Sequence, residues 1–104
     1  MKIFISLPFT GKEDTLFERL NDAKQWVKDN YPTAEIITQS NIDIIASEQK
    51  SVADEQFPFY MGQDIQYILE SDAILMCEGW ESSRGCQLEY RAAELFDVYI
   101  IFKK

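Results

Sequence analysis

The chain has 104 residues, 46% of them apolar, and its 18 acidic against 10 basic side chains give a formal charge of −8. That length holds one domain, spanning residues 1–104, with a single core. The acidic balance, which no Lys/Arg cluster reverses locally, argues against nucleic-acid polymers or anionic membranes as partners, and a chain with no histidine and two cysteines offers no zinc-ligand spacing.

The apolar start KIFISLPF is too short for a secretory leader, and no apolar run is long enough to span a bilayer, so a cytoplasmic protein is expected. Lys2–Ser6 reads as a strand. A helix follows over about Glu13–Asn30, with Leu16, Leu20, Ala23 and Val27 at heptad-like spacing, a Thr15-x-x-Glu18 capping box at its start and Tyr31-Pro32 after its end. Glu35–Thr38 is a second strand. Gln39–Pro58 shows no sustained period, although IDIIASEQK has the makings of a short helix, and it reads as an insertion or lid. Then come a helix over about Phe59–Glu70, a strand at Ala73–Cys77, a helix over about Gly85–Phe96 and a strand at Val98–Phe102.

Short, wholly apolar strands alternating with amphipathic helices predict a three-layer α/β fold around a parallel sheet of about four strands in order 2-1-3-4, with three main helices. The first helix then covers one face, and the other two cover the opposite face. One helix does not cover strands three and four, and VYIIF is apolar at every position, so a second subunit is expected there. In such sheets ligands bind beyond the carboxyl ends of the strands where strand order reverses, here between strands one and three.

The loops at that point are Leu7–Lys12 and Glu78–Gly85. Asp64 lies between Met61 and Ile68 on the inward stripe of its helix, and Glu89 shares a stripe with Ala92, Ala93 and Phe96. Both carboxylates converge on the crevice. Buried acids are costly unless paired, which points to a site, although each also fits a helix-end carboxylate stabilised by the local dipole. Gly85 lets a ligand approach the backbone, and Ser82, Ser83 and the free N–H groups of that first turn form an anion site to which Arg84 adds charge. Either serine also fits a plain helix cap. Phe9, Phe59, Tyr60, Trp80 and Tyr90 are candidate stacking surfaces for a flat base. Trp80, in a polar loop beside Gly79, is the foremost. Cys77 reads as core, and Cys86 as packing or as a thiol at a helix N-terminus.

MKIFISLPFTGK, MGQDIQYILESDAILMCEGWESSRGCQLEY and the closing VYIIF together resemble the nucleoside 2-deoxyribosyltransferase superfamily, more closely its branch of small uncharacterised, often phage-borne proteins. The resemblance spans nearly the whole chain except Gln39–Pro58. It implies a flavodoxin-like fold, homo-oligomers and no metal or organic cofactor. It further implies that Glu89 attacks the sugar anomeric carbon and that Asp64 assists the departing base. Related nucleotide glycosidases hold a 5′-phosphate with a serine and a glycine that match Ser83 and Gly85. Their first loop carries a serine and an arginine where this chain has Leu7 and Phe9, which leaves Lys12 as the cation there. The expected function is therefore an N-glycosidic bond hydrolase or transferase acting on a (deoxy)nucleotide or nucleoside. The alternative is a non-catalytic nucleotide-binding or sensing module with the same crevice.

Overall fold

The computed structural model describes residues 1–9, 12–40, 42, 45 and 57–103. Its elements are β1 (Lys2–Ser6), α1 (Leu16–Asn30), β2 (Glu35–Thr38), α2 (Phe57–Leu69), β3 (Ala73–Met76), α3 (Arg84–Leu95) and β4 (Tyr99–Phe102). The four strands form one parallel sheet in the order β2-β1-β3-β4, as the apolar runs predict. Ile3 sits opposite Ile36 on one side and Ala73 on the other, and Leu75 sits opposite Ile101, so the register runs unbroken across the sheet.

Alternation along the strands divides the core into two layers. Ile3, Ile5, Ala73, Leu75 and Ile101 pack with Leu16, Leu20, Ala23 and Val27 of α1. Phe4, Ile74 and Met76 pack on the other face with Ile68 of α2 and with Cys86 and Ala93 of α3. The three-layer arrangement is therefore the flavodoxin-like one expected. Among the described residues no helix is long and apolar enough to cross a membrane.

Three local expectations change. The capping box at Thr15 does not form, because a 3₁₀ turn at Glu13–Thr15 precedes α1 and leaves Thr15 at φ −105°, ψ 2° instead of an extended conformation. Its hydroxyl instead donates to the Lys12 carbonyl and accepts from Arg19 Nε. Phe96, placed on the inward stripe by spacing, is 64% exposed, because α3 ends at Leu95 and the backbone turns away through Asp97 at φ 58°. Within Gln39–Pro58, the lid reading falls mostly outside the described residues. Of those described, Gln39 is buried near the end of β2, Ile42 and Ile45 are buried against the α1-side layer, and Pro58 sits in the first turn of α2, where a missing N–H is tolerated.

Candidate functional site

The carboxyl ends of β1, β2 and β3 and the N-terminal turns of α2 and α3 surround a cavity of about 460 Å³. Its position follows from the topology: α1 and α3 leave neighbouring strands for opposite faces, which opens the crevice between β1 and β3. The first loop is held from below by α1, whose Arg19 donates to the carbonyls of Pro8 and, at 2.9 Å, of Lys12. That clamp fixes Phe9 and Lys12 on the cavity wall. Opposite, Gly79 adopts φ 90°, a left-handed turn that glycine takes without strain. A Cβ there would meet Lys12 Nζ and Pro8 Cγ at 3.6 Å, so the two loops run side by side.

Seven of the eight foremost sequence-derived candidates line this cavity: Asp64, Glu89, Ser83, Arg84, Gly85, Phe9 and Lys12. Trp80 does not. It stacks on Tyr90 with ring centroids 4.7 Å apart and an interplanar angle of 24°, and it also meets Phe102, which seats it on the α3-side layer. An aromatic neighbour from α3 and another from β4 offer the ring more apolar contact than the loop exposure suggested. The aromatic walls of the cavity are Phe9 and Tyr60.

Ser83 caps α3: its Oγ accepts the Cys86 N–H at 3.2 Å. The capping bond uses a lone pair, so the hydroxyl proton stays free to donate toward a ligand. The N–H groups of Arg84 and Gly85, in the first turn, have no partner among the described residues. Together with the exposed Arg84 and Lys12 side chains, they make the wall around Ser83 suited to an anion. Burial pushes the Cys86 thiol up to about 11, and Glu89 adds to the shift, so this cysteine is packing and not an activated nucleophile. Cys77 is pushed up to about 12 for the same first reason.

The cavity floor carries the carboxyl pair. Glu89 is completely buried and Asp64 nearly so, and the two acids are near enough that each perturbs the protonation of the other. Glu89 Oε1 accepts from Ser6 Oγ at 2.6 Å and from Gln39 Nε2 at 2.9 Å. Asp64 Oδ1 accepts the Ser40 N–H at 2.7 Å. Glu89 Oε2 has no donor among the described residues.

Two carboxylates this close are not both charged without large repulsion, and one proton between them supplies the donor that Oε2 lacks. Burial raises Glu89 well above the usual range, and the neighbouring Asp64 raises it further. Burial also raises Asp64, which the Ser40 N–H offsets. Both acids are thus pushed toward the protonated form and hold one proton between them, and the expected roles of nucleophile and acid need that proton on Asp64. Such a pair can pass a proton within itself, give one to a ligand, and present the freed carboxylate as a nucleophile.

Sequence reasoning missed Ser6 and Gln39. The signal was faint but physical: Ser6 shares the parity of Phe4 at the carboxyl end of β1, and Gln39, just past β2, shares the parity of Ile37, so both strand ends aim a polar group at the α2/α3 layer. Among the described residues no group of three or more Cys, Asp or Glu is arranged to hold a metal ion. No curated protein and no solved structure matches the chain. A family model described as a domain of unknown function, DUF4406, matches residues 1–102, and the chain belongs to that family.

Proposed function

We propose that the protein cleaves or transfers the N-glycosidic bond of a nucleotide or nucleoside, with Glu89 as nucleophile and Asp64 as proton carrier. The observation that carries this reading is the buried carboxyl pair on the floor of a cavity whose wall is a helix N-terminus flanked by Arg84 and Lys12. The wall fits a phosphate and the floor fits the anomeric carbon. The resemblance to the nucleoside 2-deoxyribosyltransferase superfamily supports the same chemistry, as does a cavity volume within the range of small-molecule sites.

The steps follow from the pair. Ligand binding moves the shared proton to Asp64, and the Glu89 carboxylate attacks C1′. The C1′–N bond breaks with its electrons on the base, which takes the proton from Asp64. Water or a second base then attacks C1′ and gives its proton to Asp64, and the ester electrons return to Glu89, restoring the configuration as in retaining glycosidases. Water as acceptor gives a hydrolase, and a base gives a transferase. We read the site as working in a homo-oligomer, since β4 keeps Tyr99 and Phe102 in the open, and propose the cytoplasm as its location.

A second reading, a non-catalytic module that binds a nucleotide in the same crevice, is favoured by the complete burial of Glu89. One experiment separates the two: chromatographic detection of free base across a panel of nucleosides and monophosphates, with ligand-induced melting shifts for wild type and Glu89→Gln. The enzyme reading expects base release by wild type and a loss of roughly a thousandfold or more in the variant, with binding retained. Melting shifts without base release select the binding module.

A further inference from the structure

Gln39 is 5% exposed and spans the gap between the backbone just past β1 and the carboxyl of Glu89. Its amide has only one workable orientation. Oε1 accepts the Leu7 N–H at 3.2 Å while Nε2 donates to Glu89 Oε1 at 2.9 Å. The flipped amide would set donor against donor and oxygen against oxygen. Ser6, at the end of the neighbouring strand, donates to the same carboxyl oxygen at 2.6 Å. Residues at the carboxyl ends of two adjacent parallel strands thus fill both lone pairs of Oε1, and the other oxygen, Oε2, has no donor among the described residues. The titratable groups facing Glu89 are Asp64 from α2 and Cys86 from its own helix, and Lys12, Glu13, Tyr60 and Arg84 also line the cavity.

We infer that Gln39 and Ser6 are positioning residues of this site: they commit Oε1 of Glu89 to the scaffold and leave Oε2 to exchange the pair's proton with Asp64 and to bond the electrophilic carbon of the ligand. This assignment rests on the glycosidic reading proposed above.

The arrangement serves each stage without moving. When Glu89 passes its proton to Asp64, two fixed donors stabilise the anion that forms. In the covalent stage the new C1′–O bond uses Oε2, and Oε1 becomes the ester carbonyl, still accepting both bonds. When the ester breaks, its electron pair returns to a carboxylate whose donors are already in place.

The test uses protein labelled with ¹³C at glutamate carboxyls, with the Glu89→Gln spectrum identifying the Glu89 signal. Wild type, Gln39→Leu and Ser6→Ala are titrated, and thermal melting checks each fold. Both variants remove a donor to the charged form, so the Glu89 midpoint is expected to move upward in each. On any substrate that wild type turns over, kcat is expected to fall roughly ten- to hundredfold while KM stays within about threefold. Should Gln39→Leu fail to fold, Ser6→Ala decides. An unchanged midpoint, or a raised KM at unchanged kcat, overturns the assignment. Wild type that releases no base from any substrate removes the glycosidic reading, and the midpoints then judge the positioning contacts separately.

Discussion

Glu89 unites full burial, two donors on one oxygen, no donor on the other among the described residues, and a neighbouring acid in Asp64. An acid whose folded-state pKa lies above its unfolded value supports the fold while protonated. That support is complete below the ordinary value of 4.5 and is lost as pH rises through the raised folded value. Melting temperature should therefore fall as pH climbs through that window. In Glu89→Gln the amide oxygen still accepts from Ser6 and Gln39, and the amide N–H points donors at Asp64, which then ionises without repulsion. The variant should lose most of the fall and melt higher than wild type near pH 8. Recovery of about 1 kcal/mol would appear as about 4–8 °C in a domain of this size. Melts of both proteins from about pH 5 to about pH 8 check this, and a variant that melts lower throughout would show that Glu89 ionises freely in the fold.

Helix α3 joins the site to the sheet, and its two ends call for different tests. At the N-terminus, the capped first turn and Arg84 should contact a phosphate and not a base or sugar. Arg84→Ala is expected to weaken a nucleoside monophosphate by about 1.5–3 kcal/mol, the worth of a charge-assisted hydrogen bond, and the matching nucleoside by much less. Calorimetry with the two ligands measures the difference, and equal losses would make this a nucleoside site. At the C-terminus, the Val98 N–H donates to the Ala93 carbonyl at 2.9 Å around Asp97, which sits at φ 58°. This is a Schellman turn with aspartate where glycine is favoured, and its negative charge faces the negative end of the helix. Asp97→Gly should stabilise the fold by about 0.5–1 kcal/mol, read as a higher denaturant midpoint at unchanged slope.

Across the whole molecule, the sheet is covered unevenly. Leu95 is 63% exposed, Phe96 64%, Tyr99 65% and Phe102 48%, all along β4 and the end of α3, at the edge of the sheet farthest from β2. An exposed edge strand bearing large apolar side chains favours association. Sedimentation at micromolar concentration is expected to show a species larger than the 12.1 kDa chain, and a lone 12.1 kDa species would remove the dimer expectation.

The strand runs, the spacing of Leu16, Leu20, Ala23 and Val27, and the inward stripes that carry Asp64 and Glu89 are all legible in the sequence. They are local patterns with periods of two or about 3.6 residues, and burial on one face imposes them wherever a sheet is covered by helices. The topology followed from them, because few connections of parallel strands and short helices are sterically open. What the sequence did not reveal were the meetings of polar groups far apart in the chain. Ser6 finds Glu89 across 83 positions and Gln39 finds it across 50. Trp80 turned to Tyr90 and Phe102 instead of the cavity, and Thr15 bonded within its own turn instead of capping. Periodicity says which face a side chain takes. Which partner it meets there depends on strand register and helix placement, and those are fixed only when the layers pack.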